Sequence, residues 1–182
     1  TICRQTTRLN KLVEELNYLT LSVKDTSEDD KNETIFLDKL LIDCMSEFKL
    51  RAEKEKRDIY IKVIPENAKI VSNYNKMQRI IVNLIGNAFK YSPSGTKIEI
   101  VAEIKNQELS ISIIDEGCGI KEEEIDNIFK RLYRVEASRN MKTGGYGLGL
   151  AIAKQLALQI NGDILVESEY GKGSKFTLKI NC

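Results

Sequence analysis

The sequence predicts an α+β protein, a two-layer sandwich in which helices cover one mixed sheet, with a coiled-coil-like helix ahead of it. Three observations predict it. Segments with apolar residues at helical spacing, above all 76–91, are interleaved with short β-rich segments bounded by Asn, Gly and Pro. Four strand-like segments come in two pairs joined by short turns, 97–105 with 109–115 and 164–169 with 175–180, which is hairpin spacing. Finally, 42% of the 182 residues are hydrophobic, enough for a core in one ordinary domain plus an appendage.

Residues 1–25 read as the leading helix, because Leu9, Leu12, Leu16, Leu19 and Val23 follow the a/d spacing of a coiled-coil seam. A single helix of this length is marginal in water, so the seam requires a helix from elsewhere or a second copy; folding back on the main domain is the alternative. Residues 26–33 are polar and charged without an apolar position, an exposed linker at the domain boundary. The main domain, 34–182, opens with one amphipathic helix carrying Phe36, Leu37, Leu40, Leu41, Cys44, Met45, Phe48 and Ala52, and leaves it through the charged run 51–58. A strand over 59–64 stops at Pro65, and 68–71 makes a second, short one. In the helix 76–91, Met77, Ile80, Ile81, Leu84, Ile85 and Ala88 form one apolar stripe. Tyr91-Ser92-Pro93-Ser94-Gly95 ends it with turn chemistry. After the two central strands and a variable stretch, 121–146, a helix over 148–160 stops at Asn161-Gly162. Tyr170-Gly171-Lys172-Gly173 turns the closing hairpin, and the glycines there are read as a strand turn rather than a phosphate loop.

Composition removes several function classes. With 28 basic and 27 acidic residues the net charge is +1, so no polyanion-binding field exists and nucleic acid is not an expected partner. The absence of histidine excludes Ser-His-Asp and Cys-His catalysis and any His-based zinc site. Cys3, Cys44, Cys118 and Cys182 are widely spaced, which suits free thiols in a reducing compartment, and no apolar run approaches a bilayer span. A cytoplasmic location is expected for this stretch.

The helix 76–91 carries a second face. Asn83, Asn87 and Lys90, at i, i+4 and i+7, share one patch of surface although Asn is a poor interior helix residue. Farther on, Asp115-Glu116-Gly117-Cys118-Gly119-Ile120 ends an apolar strand. Ile128-Phe129-Lys130-Arg131-Leu132-Tyr133-Arg134-Val135 follows, and Gly144-Gly145-Tyr146-Gly147-Leu148-Gly149-Leu150 opens the next helix. Asp115 extends a strand whose Ile111 and Ile113 are apolar, so its carboxylate sits where an unpaired charge is costly and requires a donor. Gly145, Gly147 and Gly149 let backbone amides and a helix N-terminus face phosphates without a Walker lysine.

In this order the motifs resemble the N, G1, F and G2 boxes of the nucleotide-binding domain of sensor histidine kinases, over roughly residues 66–180. The resemblance implies the Bergerat ATP-binding fold, a mixed five-stranded sheet covered by three helices. It implies ATP and Mg²⁺ as cofactors, with transfer of the γ-phosphoryl to a histidine outside this chain and relay to a response regulator. Residues 1–25 would be the second helix of a dimerisation domain whose acceptor His lies on an upstream helix, making the full-length protein a membrane-anchored homodimer. Asn87 is then the metal ligand. Lys90 contacts a phosphate, Tyr91 walls the base, and Asp115 accepts a hydrogen bond from the adenine amine, supported by Thr177. Gly117 and Gly119 pass close to the base; Ile120, Tyr133, Gly145, Gly147, Leu148, Gly149 and Leu150 complete the nucleotide contacts. Residues 135–143 match the ATP lid, anchored through Phe129, Leu132 and Tyr133, and Arg134, helped by Arg131, stabilises the transferring phosphoryl. ATPases of this fold carry a water-activating glutamate where this chain has Asn83, which cannot act as a base near neutral pH, so hydrolysis is expected to be slow. The chain departs from the family pattern at Asn73, usually acidic, and at Tyr146, frequently Thr. The alternatives are a non-catalytic nucleotide-sensing scaffold and a related anti-sigma-factor serine kinase.

Overall fold

The computed structural model describes residues 31–134 and 147–181. The leading helix, most of the linker, the lid 135–143, Gly145, Tyr146, Cys3 and Cys182 lie outside the described residues. Among the described residues no helix is long and apolar enough to cross a membrane.

The core element is α3 (Tyr74–Tyr91), preceded in chain order by β1 (Glu33–Phe36), α1 (Leu37–Ser46), α2 (Lys49–Glu55), β2 (Asp58–Ile64) and β3 (Lys69–Ser72). Its apolar stripe is buried throughout, Met77, Ile80, Ile81, Leu84 and Ile85 to 0% exposure. Each such side chain contributes roughly 1.5–3 kcal/mol by leaving water. Asn73 caps the start, its Oδ1 accepting from the Lys76 amide at 2.9 Å, which gives a physical use to the residue that departs from the family pattern. The far end is closed by the buried Arg57. Its Nη2 donates to the carbonyls of Phe89 (3.1 Å) and Ser92 (2.7 Å), and its guanidinium lies 5.0 Å from the Phe89 ring.

After α3 come β4 (Lys97–Lys105), β5 (Glu108–Asp115), the short α4 (Glu122–Ile125), α5 (Gly149–Gln159), β6 (Gly162–Glu169) and β7 (Gly173–Asn181). The main sheet is five-stranded in the order β2-β4-β5-β7-β6. β2 runs parallel to β4, and the crossover between them is β3 and α3; the other pairs are antiparallel. Asn106 (φ 51°) and Gln107 (φ 62°) turn the β4–β5 hairpin. Alternation sends Ile98, Ile100, Ile111, Ile113, Phe176 and Leu178 into the core beneath α1, α3 and α5. The opposite face carries Glu99, Ser112, Lys175 and Lys179, with ion pairs Lys175–Glu167 (3.0 Å) and Lys179–Glu108 (2.8 Å). The two-layer α+β sandwich with a mixed sheet is therefore what the chain forms.

Local expectations change in the first part of the domain. Glu33, placed at the end of the linker, begins β1, which pairs antiparallel with β3 in a separate two-stranded sheet (Ile35↔Ile70). Phe36, expected on a buried helical face, ends that strand and is 50% exposed, because strand alternation turns Ile35 inward instead. The single helix expected over 36–52 is two. Ser46 Oγ donates to the Asp43 carbonyl at 2.6 Å near the break, and Phe48 turns to stack on Phe89 with ring centroids 5.0 Å apart.

Candidate functional site

The C-terminal end of β5, the last turns of α3, the start of α5 and the β6–β7 turn converge on a cavity of about 140 Å³. That is close to the ~150 Å³ that holds a benzene-sized ring. Its walls are mostly apolar: Tyr91, Ile120, Ile128, Tyr133, Leu150 and Phe176. Polar groups enter at few points, from Asn87, Asp115, Ser174 and Arg134.

Asp115 is the charged group at the base of the wall, 7% exposed. Its Oδ1 accepts from the Gly117 amide (2.8 Å) and the Ser92 hydroxyl (3.2 Å). Burial pushes its carboxyl above the ordinary range of 3.8; the Gly117 amide, the Ser92 hydroxyl, the Ser174 backbone and the charge of Arg57 oppose that shift without cancelling it. Gly117 must be glycine here, since a β-carbon would stand 2.5 Å from Asp115 Oδ1 and 2.9 Å from the Tyr91 carbonyl oxygen. Asn87 enters from α3 with its Nδ2 buried and without a hydrogen-bond partner among the described residues. A buried amide left unpaired costs roughly 1–3 kcal/mol, which a polar ligand in the cavity would recover.

Of the residues singled out in the sequence, Asn87, Tyr91, Asp115, Gly119, Ile120, Tyr133, Arg134 and Leu150 line this one cavity. The others have different positions. Asn83 donates through Nδ2 to the Arg79 carbonyl (2.9 Å), and a β-carbon at Gly149 would lie 3.0 Å from its Oδ1, so it seats α5 against α3. Lys90 lays its ammonium over the Tyr91 ring, 4.8 Å from the centroid. Leu148 is core, 1% exposed. Gly147 (φ 73°) accepts from the Leu132 amide at 3.0 Å, tying the end of the F-box segment to the start of α5. Gly145 lies outside the described residues.

Thr177 is a correction. It pairs with Ser112, its hydroxyl 3.0 Å from the Ser112 hydroxyl, on the sheet face away from the helices. Ser174 is the β7 residue paired with Asp115 and lining the cavity. Alternation along β7 carries that information, since Phe176 and Leu178 are the apolar positions and Thr177 is out of phase with them.

The glycine-rich turn read as a mere strand connection belongs to the site. Gly171 N donates to the Cys118 carbonyl (2.8 Å), and Ile120 N to Ser168 Oγ (2.9 Å), which also bonds the Gly173 carbonyl and the Ser174 hydroxyl. Gly119 (φ 65°) runs so close to the Glu169 carbonyl that no side chain fits. Tyr170 and Cys118 thereby join the wall.

A family model described as histidine kinase-, DNA gyrase B-, and HSP90-like ATPase matches residues 72–182. Histidine protein kinase SaeS of Staphylococcus epidermidis is 41% identical over 150 residues, 81% of this chain and 43% of that protein. SaeS of Staphylococcus aureus is 36% identical over 182 residues, 99% of this chain and 51% of that protein. The chain thus spans about half the length of the curated relatives it matches. Among solved structures, the Acinetobacter baumannii histidine kinase AdeS superposes with a TM-score of 0.80 at 26% identity, covering 98% of this chain and 81% of that one.

Proposed function

Since this chain belongs to the histidine kinase-, DNA gyrase B- and HSP90-like ATPase family, we propose that it is the ATP-binding catalytic portion of a two-component sensor histidine kinase. Its task is to hold ATP and deliver the γ-phosphoryl to a histidine outside the chain, for relay to an aspartate of a response regulator. The observation that carries the reading is the buried Asp115 carboxylate in a mostly apolar, ring-sized cavity, with the Asn87 amide, unpartnered among the described residues, on another wall. A carboxylate oxygen accepts from the exocyclic amine of adenine, and Tyr91, Ile120, Leu150 and Phe176 bury the faces of the ring.

The donor set fits a divalent magnesium ion. Asn87 offers a neutral amide oxygen from a residue already lining the cavity and would hold the ion together with the phosphates of the nucleotide. When bound, the ion neutralises the triphosphate. Arg134, half-buried in the same wall, supplies the fixed cation for the phosphoryl group, and Lys90 reaches a phosphate by leaving the Tyr91 ring. Thr177 has no part in this assignment, and Ser174 takes its place beside Asp115. Asn83 offers no base to activate water, and its amide is engaged with Arg79, so the γ-phosphoryl is preserved for a protein nucleophile.

In the proposed domain plan, 1–25 is the second dimerisation helix, 26–33 the linker and 34–182 a Bergerat-type catalytic domain. The test uses the full-length protein containing the upstream helix. With γ-labelled ATP and Mg²⁺ it should acquire acid-labile phosphohistidine, and Asn87→Ala should abolish the label. Acid-stable phosphoserine would move the assignment to the anti-sigma-factor kinases. No label, with Mg-ATP affinity untouched by Asn87→Ala, would leave a nucleotide-sensing scaffold.

A further inference from the structure

Ser92 follows the last residue of α3 and precedes Pro93, a position that sequence alone explains as a helix stop. In the fold it is 6% exposed and held on three sides. Its amide donates to the Ala88 carbonyl (3.1 Å), its carbonyl accepts from Arg57 Nη2 (2.7 Å), and its hydroxyl donates to Asp115 Oδ1 (3.2 Å). Arg57 is itself fixed, 7% exposed, through Nε to Glu55 (2.5 Å) and Nη2 to the Phe89 carbonyl (3.1 Å). The direction of the Ser92 hydroxyl is therefore set by a buried clamp rather than by a mobile turn.

This geometry divides the two carboxylate oxygens. The Ser92 hydroxyl and the Gly117 amide (2.8 Å) both donate to Oδ1, and the Ser174 backbone adds a further hydrogen bond to the carboxylate. Rotation of the carboxylate breaks both bonds at once. Oδ2 takes neither of the Ser92 and Gly117 donors, so it is the oxygen turned to whatever fills the cavity that Asp115 lines. A ligand amine satisfies it; a ligand carbonyl sets acceptor against acceptor, and an unpaired buried polar group is what makes such a site discriminating.

We propose that Ser92 is a specificity-determining positioning residue, pinning Asp115 so that the site takes a 6-amino purine nucleotide and rejects a 6-oxo purine. It does not line the cavity, and it acts through Asp115. The proposal rests on the reading of the cavity as an adenine-nucleotide site.

The test titrates the 182-residue chain with ATP and GTP by calorimetry, in wild type, Ser92→Ala, Ser92→Thr, Asp115→Asn and the Ser92→Ala/Asp115→Asn double variant. Ser92→Ala should lower the ATP-to-GTP affinity ratio about 10-fold, equivalent to about 1.4 kcal/mol. Ser92→Thr, which keeps the hydroxyl, should restore the ratio to within about 2-fold of wild type. In the Asp115→Asn background Ser92→Ala should change the ratio no further, the non-additivity expected of groups acting as one unit. Equal weakening of both nucleotides, an unchanged ratio, or a full additional effect in the double variant would overturn the proposal. If Ser92→Ala does not fold, Ser92→Cys, similar in size and a weak donor, carries the same comparison. A wild-type chain that binds neither nucleotide defeats the adenine-site reading and the Ser92 proposal together. A wild type selective for ATP whose ratio Ser92→Ala leaves unmoved defeats the Ser92 proposal alone.

Discussion

Replacing Asp115 by Asn is the sharpest perturbation of the site, because it changes one atom's hydrogen-bonding sense and almost no volume. The Gly117 amide and Ser92 hydroxyl both donate to Oδ1, so the new amide must place its oxygen there and its NH₂ group where Oδ2 stood. A donor then faces the donor amine of adenine. The loss is one hydrogen bond to a charged acceptor in a buried site, about 1.5–3 kcal/mol, which corresponds to roughly a 10- to 150-fold rise in the dissociation constant for ATP. The fold should not suffer. Burial holds the Asp115 carboxyl above its ordinary pKa, so the ionised form costs the folded state, and the neutral amide removes that cost. The assay is calorimetric titration with Mg-ATP, with thermal unfolding of the ligand-free chain as control. ATP affinity within about 2-fold of wild type, with intact folding, would refute the assignment of Asp115 as the base-reading group.

Three further outcomes follow. Because the folded state retains the Asp115 proton to higher pH than the unfolded chain does, that residue's contribution to stability is present below the unfolded pKa and lost as pH rises through the folded one. Binding runs the other way, so ATP affinity should fall as pH drops through the raised pKa, and Asp115→Asn should leave only the nucleotide's own titration. Arg57→Met should cost about 1–3 kcal/mol, since it orphans the buried Ser92 carbonyl while Glu55 keeps Arg51. Glu55, drawn upward by burial but held below the usual carboxylate range by its bonds to Arg51 and Arg57, should titrate higher in that variant. With a urea slope of about 2 kcal/mol/M the midpoint should fall by about 1 M, and a change under about 0.3 M would refute the clamp. Cys118, on the cavity wall, should be alkylated in the native protein and protected by ATP, as read by peptide mass mapping. Cys44 should stay unmodified until the protein unfolds, because burial first, then the charges of Glu47 and Asp43, push its thiol up to about 12.

The stripe Met77 to Ala88 is legible in sequence because a helix converts spacing directly into direction, and it is buried as the spacing requires, while of the Asn83, Asn87 and Lys90 face only Asn87 lines the cavity. The two hairpins were legible for the same reason, with turn residues between alternating strands. The break between α1 and α2 was not, because Phe48 leaves helical spacing to reach Phe89. Nor was β1, whose pairing partner β3 lies beyond α1, α2 and β2. That Thr177 is out of phase with Phe176 and Leu178 could be read from the sequence, whereas the placing of Ser174 opposite Asp115 depends on a register with β5 across the sheet. Sequence by itself determined the architecture, the α3 face carrying Asn87, and Asp115 as the charged end of an apolar strand. Tertiary structure alone decided that Ser92 and Arg57 stand behind that carboxylate, and that the β6–β7 turn braces the loop after it. Periodicity is a local property of the chain, whereas a cavity is made where residues far apart in sequence are brought to hydrogen-bonding distance.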